Sequence, residues 1–246
     1  MTETVSIPQR FRGPPSSGHG GYSCAMAARF VDGAAEVTLR RPPPLERELE
    51  VRREGGSVTL VDRDEVVAQA RPAELELNVP DPPSIAEAEG AAARSPLLES
   101  HPFGTCFVCG TDREPGDGLR LFAGPLRGRE MFAVPWTPAA DLANGDGAVR
   151  SEFVWSVLDC PSGNVVALMD AANPCVLARF AVRQDAVVQA ESPHVAIGWP
   201  IAQERRKLTT GAAIFTADGE LCARARALWV ELTDEQLERV GTTSGA

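Results

Sequence analysis

Two stretches of the chain carry the same order of apolar and polar positions. Thr59-Leu60-Val61-Asp62-Arg63-Asp64-Glu65-Val66-Val67-Ala68-Gln69-Ala70-Arg71 and Ile214-Phe215-Thr216-Ala217-Asp218-Gly219-Glu220-Leu221-Cys222-Ala223-Arg224-Ala225-Arg226 each place a short polar turn between two apolar-rich runs. That pattern predicts a β-hairpin. Asp218-Gly219 supplies a favoured two-residue hairpin turn because glycine tolerates positive φ, and Arg63-Asp64 takes the equivalent place with poorer turn chemistry. Such self-similarity marks an internal repeat.

The repeat extends upstream. An extended run precedes each hairpin, Glu46 to Arg53 and Val195 to Lys207, and a helix is expected before each of these, at Gly21–Phe30 and Ser151–Met169. Both helices are apolar on more than one face, which marks helices that something wraps around. Between the halves, Asn78-Val79-Pro80-Asp81-Pro82-Pro83 stops the last strand of the first half, since proline cannot donate to a ladder. Ser84-Ile85-Ala86-Glu87 has capping-box spacing and opens a short alanine-rich helix ending near Arg94. The expected organisation is a first domain over 1–80, a linker over 81–104 and a second domain over 105–240. The small polar tail 241–246 is expected to fray.

Composition narrows the function classes. A formal net charge of −10, with no Lys/Arg-rich run to offset it, disfavours nucleic-acid binding. No apolar stretch is long enough for a membrane span, and Met1-Thr2-Glu3-Thr4 lacks the regions of a signal peptide, so a cytoplasmic protein is expected. Six cysteines without a secretion signal read as reduced thiols.

Particular residues then carry a family resemblance. Gly18-His19-Gly20-Gly21 resembles the His-Gly-Gly segment that opens the central helix in PaaI-like hotdog thioesterases. Cys106-Phe107-Val108-Cys109-Gly110 with Gly118-Leu119-Arg120-Leu121 resembles the stretch before the first strand of such proteins. Leu158-Asp159-Cys160-Pro161-Ser162-Gly163 resembles the carboxylate-bearing part of the central helix, and Ala225–Val230 the closing strand. The resemblance implies an α+β fold of two tandem hotdog domains, each an antiparallel sheet wrapped around a central helix, together a double hotdog. It also implies an acyl-CoA or acyl-carrier thioester as partner and no cofactor. The pattern departs from the family in both halves: Ala28 stands where the first helix would carry a carboxylate, and Arg150-Ser151-Glu152 where the second would carry His-Gly-Gly.

Thioester hydrolysis needs fixed N–H donors for the carbonyl oxygen and a base for water. The expectation is one composite site in which His19, Gly20 and Gly21 bind the carbonyl and Asp159 activates water, its pseudo-symmetric counterpart being inactive. Each residue has a plainer reading: the glycine run as a flexible helix entry, and Asp159 as an N-cap where the long helix breaks before Pro161. Arg205, Arg206 and Lys207 form the densest basic patch, with Arg224 and Arg226 on one strand face; it fits coenzyme A phosphates or a solvated strand edge.

Cys106 and Cys109 have the spacing of half a zinc site with His101 nearby, but no second pair is spaced to complete four ligands, so no metal is expected and the motif reads as a tight turn. A redox pair or a nucleophilic Cys24 or Cys160 is ranked lower, and His194 is read as a surface loop residue. Three functions stay open: a thioesterase, a degenerate double hotdog that only binds an acyl thioester or a protein, and, last, a hydratase. Two hotdogs in one chain supply the pairing that single-domain relatives obtain by dimerising, and exposed sheet edges leave a homodimer open.

Overall fold

The computed structural model describes residues 3–240, so the expected fraying of 241–246 lies outside the described residues. In chain order the elements are β1 (Thr4–Ser6), α1 (Gly20–Ala28), β2 (Ala35–Leu39), β3 (Glu48–Glu54), β4 (Ser57–Asp62), β5 (Glu65–Pro72) and α2 (Ile85–Ala92). There follow β6 (Gly124–Pro125), β7 (Phe132–Trp136), α3 (Ser151–Asn164), β8 (Cys175–Gln184), β9 (His194–Glu204), β10 (Lys207–Thr216), β11 (Leu221–Glu231) and α4 (Asp234–Val240).

The strands form one antiparallel sheet in the order β1-β3-β4-β5-β2-β8-β11-β10-β9-β7-β6. Each half of the sheet is contiguous in sequence, and the halves join where β2 pairs with β8, Ala35 opposite Val182 through Thr38 opposite Arg179. Phe180 is fully buried at this seam, opposite Val37, with its ring edge-on to Trp155 at 5.7 Å.

Both central helices are enclosed, as their all-round apolar character requires. Phe153 to Ser162 of α3 are all buried, and α1 exposes no full face. The strands respond to what lies on each side. In β11, Ala223, Ala225, Ala227 and Trp229 point into the core while Arg224 and Arg226 face out, the period-two arrangement of a half-covered sheet. In β9, His194 to Trp199 are buried on both faces, because α3 covers one side and α2 with Leu77 and Val79 covers the other. Burial of Ala88 and Ala91 explains why the chain between the halves folds at all: the capping box of Ser84 and Glu87 forms as expected, and the helix it opens lies on β7 and β9.

Several local expectations are corrected. The first half's last strand ends at Pro72, six residues before the Asn78–Pro83 run, since Pro72 already ends the donor series. The second hairpin turns through Ala217 and Asp218 with Gly219 (φ +88°) bonding back to Thr216, rather than through a two-residue Asp218-Gly219 loop; only Gly219 takes positive φ. Helix α3 passes through Pro161 without a break and ends at Asn164, followed by a short tighter turn at Val165–Leu168. Asp159 therefore lies inside the helix and is not an N-cap. His194 is 1% exposed at the start of β9, near Trp136, and is not a surface residue.

Candidate functional site

The N-terminus of α1 meets the middle of α3, and small residues let them approach closely. A Cβ at Gly21 would stand 2.5 Å from the Trp155 carbonyl oxygen and 2.7 Å from Asp159 Cβ, so no larger residue fits without moving a helix. His19 caps α1, its Nδ1 accepting the Tyr22 N–H at 3.3 Å. The Gly21 N–H donates to Asp159 Oδ2 at 2.6 Å, and His19 Nε2 stands 3.3 Å from the same oxygen. The positive end of α1 thus faces a buried carboxylate.

Asp159 is 3% exposed, and its Oδ1 has no hydrogen-bond partner. Burial pushes its pKa up to about 6, against the opposing pull of His19 and the Gly21 N–H. Burial alone would lower His19, but the Asp159 carboxylate and Cys106 outweigh it and the net direction is upward.

Three sulfurs adjoin this pair. Cys160 follows Asp159 on α3 and lies 3.4 Å from His19 Nε2. The loop before β6 brings Cys106 and Cys109 onto it, with Cys106–Cys109, Cys109–Cys160 and Cys106–Cys160 Sγ separations of 3.4, 3.2 and 3.8 Å. His101 Nε2 lies 3.3 Å from Cys109 Sγ. Hydrogen bonds from Cys109 and Cys160 hold Cys106 well below the usual thiol range. All six cysteines are free thiols. The loop is anchored by buried Arg113, which donates to the Thr105 and Arg10 carbonyls and pairs with Asp117 at 2.8 Å.

The structure therefore brings His19, Gly20, Gly21 and Asp159 together and roofs them with the cysteine loop. It places Arg205, Arg206 and Lys207 elsewhere, exposed at the β9–β10 turn without an ion pair among the described residues. Gly198 of β9 lies against the Pro161 carbonyl, and from there to Arg205 the strand climbs about 23 Å. Arg224 is held by Asp185 through two bonds of 2.9 and 3.0 Å and does not join that patch.

At the other end of the helix pair, where Ala28 faces Ser151, the surface opens into a groove of about 990 Å³ lined also by Trp155, Leu75, Val182 and Arg183. A smaller recess beside it is walled by Met26, Arg150 and Glu152. The open space thus lies beside Ala28, the α1 position without a carboxylate, with Glu74 and Glu76 on the groove wall, and the end that holds Asp159 is buried. What sequence reading missed was Cys160 as a partner for Cys106 and Cys109; the Cys-x-x-Cys spacing was the available signal, but its third member comes from a distant helix. No helix among the described residues is long and apolar enough to cross a membrane.

No family model matches the chain, and no curated protein matches it. Solved structures do. A candidate thioesterase from Novosphingobium aromaticivorans DSM 12444 aligns over 94% of this chain and 95% of its own at TM-score 0.61 and 11% identity. A candidate oleoyl thioesterase from Lactobacillus plantarum aligns over 95% and 96% at 0.58 and 12%. A conserved protein of unknown function with hotdog fold from Alicyclobacillus acidocaldarius aligns over 94% and 92% at 0.55 and 10%.

Proposed function

We propose, starting from the hotdog fold of this chain, that it hydrolyses an acyl thioester carried by coenzyme A or an acyl carrier, at one composite site shared by two hotdog units, 1–80 and 105–240, joined by 81–104. The two-unit reading is supported by strand order: outward from the β2–β8 seam, β5-β4-β3-β1 in the first half corresponds to β11-β10-β9-β7 in the second.

The observation that carries the chemistry is Asp159, a buried carboxylate with one oxygen unpartnered and the other on the N-terminal N–H of a neighbouring helix. In the proposed step Asp159 takes a proton from water as the water oxygen attacks the thioester carbonyl. Protonation weakens the carboxyl as an acceptor and frees the Gly21 N–H for the oxyanion, with Gly20 keeping the approach clear. Collapse of the intermediate breaks the C–S bond, and the proton passes from Asp159 to the departing thiolate. His19 orients the carboxylate. Arg205, Arg206 and Lys207 would meet phosphates of the carrier.

A second reading is favoured by the closure of the site: with Asp159 and His19 2–3% exposed and the open groove at Ala28, the chain would bind an acyl thioester, or a protein partner, without turning it over. A free-thiol release assay against acyl-CoAs from short to long separates the two. Turnover lost in Asp159→Asn, with the fold retained, supports hydrolysis. Binding of CoA esters without turnover supports the second reading.

A further inference from the structure

Cys106, Cys109 and Cys160 are three reduced sulfurs from two separate parts of the chain, buried to 5–7% exposure and packed into one triangle. Buried thiols can pack simply as small apolar groups, but three sulfurs all within 3.8 Å of one another also have the spacing a tetrahedral metal site requires. An ion bound to thiolates at about 2.3 Å holds its sulfurs roughly 3.8 Å apart. Of the observed edges, 3.8 Å equals that value and 3.4 and 3.2 Å fall short of it, so two edges would lengthen on binding. The centre of such a triangle is about 2.0 Å from each corner, so an ion at the thiolate distance sits about 1 Å above the sulfur plane.

Tetrahedral closure needs a fourth donor about 3.6 Å from the sulfurs, the separation set by Zn–N and Zn–S lengths. His19 Nε2 is 3.4 Å from Cys160 Sγ, and the ligand atoms of His19, Cys106 and Cys160 all lie within 4.8 Å of one another, a grouping that leaves out Cys109, so His19 stands over the Cys106–Cys160 edge and its ring must swing toward Cys109 to close the tetrahedron. His101 competes, with Nε2 3.3 Å from Cys109 Sγ. Both rings accept a backbone N–H at Nδ1, which places the proton on Nε2; ligation moves it to Nδ1 and gives up that contact. His101 would give up a short bond, 2.9 Å from Phe103 N–H, and His19 a long one, 3.3 Å from Tyr22 N–H. His19 is therefore the better ligand, and His101 the better N–H donor to the Cys109 sulfur, a supporting role that metal thiolates commonly have filled.

The turn that presents the pair is built for this. Gly110 donates to the Cys106 carbonyl at 2.9 Å, and a Cβ there would stand within 2.4 Å of the Cys106 and Gly104 carbonyl oxygens, so only glycine closes the turn that brings Cys109 back beside Cys106.

We propose that Cys106, Cys109, Cys160 and His19 bind one zinc ion that pins the 101–110 loop to α3 and to the start of α1. Binding is ligand exchange without oxidation: the three thiols lose their protons to solvent and the imidazole binds neutral. The ion joins the two sequence halves at a point where a turn, rather than a strand, makes the connection, and it fixes the roof over Asp159. With Nε2 on the ion, His19 gives up its 3.3 Å contact with Asp159 and becomes a scaffold residue, so in the zinc-bound protein the Gly21 N–H, and not His19, orients the carboxylate.

The test is metal content by elemental analysis of protein purified without added metal or chelator, with cobalt substitution to report thiolate coordination by absorption. One equivalent of zinc per chain, and a tetrahedral cobalt spectrum with thiolate charge-transfer bands, are expected. Cys106→Ser, Cys109→Ser and Cys160→Ser should each lower bound zinc at least tenfold under mild chelation, and Cys175→Ser should not. His19→Gln should lower it more than His101→Gln; the reverse would exchange the two histidines' roles. If the cysteine variants fail to fold, alkylation of the wild type decides: the three thiols should be protected until a chelator strips the metal. Less than a tenth of an equivalent of metal after zinc is offered, with all three thiols alkylated at once or with a Cys109–Cys160 disulfide, would overturn the proposal. None of these readouts depends on thioester turnover.

Discussion

Replacing Gly21 with alanine tests the central contact of the molecule. The added methyl would stand 2.5 Å from the Trp155 carbonyl oxygen, where ordinary contact begins at 3.4 Å. The obstacle is helix backbone, so α1 and α3 must separate by about 0.9 Å, an overpacking of the kind that costs about 1–3 kcal/mol. The same shift stretches the 2.6 Å bond from the Gly21 N–H to Asp159, and a hydrogen bond to a buried charged group is worth about 1.5–3 kcal/mol. Against this, alanine gains up to about 1 kcal/mol over glycine in a helix. The net expectation is a loss of about 2–4 kcal/mol, or roughly 5–15 °C in Tm for a chain of this size. Gly145→Ala is the control, because nothing lies within 4 Å of a Cβ there and φ is not positive. Gly20→Ala should fall between them, since its contacts are side-chain atoms rather than helix backbone: the tip of Leu177 at 2.9 Å can give way, while Leu177 Cβ at 3.1 Å and the Gly21-bonded Asp159 Oδ2 at 3.0 Å must shift by a few tenths of an ångström. Urea unfolding of the three variants measures the series through the midpoint at constant m. A Gly21→Ala protein within 0.5 kcal/mol of wild type would refute the argument that this glycine is there for helix approach.

Phe180→Ala should cost about 3–5 kcal/mol, because the ring is fully buried at the β2–β8 seam against Trp155; a loss under 1 kcal/mol in the same unfolding assay would show that the seam repacks. Converting Arg205, Arg206 and Lys207 to glutamine should weaken CoA-ester binding about tenfold and flatten its salt dependence, measured by titration at two ionic strengths, since charge-assisted phosphate bonds are lost. Unchanged affinity and salt slope would assign the patch to a solvated turn. Asp159→Asn retains an oxygen for the Gly21 N–H, so its melting temperature should move by no more than a few degrees while turnover disappears. Retained turnover in that variant would remove Asp159 from the reaction.

The proposed zinc site and the Asp159 carboxylate lie at the same, closed end of the helix pair. The cysteine loop lies over the residues expected to act on substrate, and the groove opens at the other end of the same helix pair, where the α1 position is Ala28 and the carboxylates at hand are Glu74 and Glu76 of the groove wall.

The sequence by itself determined the pieces whose causes are local. Alternation around a polar turn is enough to specify the β4–β5 and β10–β11 hairpins, all-round apolarity marks α1 and α3 as enclosed, and Ser84 with Glu87 writes its own helix start. The meeting of His19, Gly20, Gly21 and Asp159 was legible only through a resemblance, since nothing in either helix names its neighbour. Only the tertiary structure decided the rest. Cys160 joins Cys106 and Cys109 because α3 and a loop some fifty residues earlier pack on one core, and half a ligand set in a sequence cannot announce a partner that packing delivers. His194 follows an exposed Pro193 yet is buried, because a covering on both faces of β9 is a property of what packs there, not of the strand. Which end of the helix pair stays open was decided in the same way: local patterns fix what each segment can form, and the burial of apolar faces against distant segments fixes which side chains share a site.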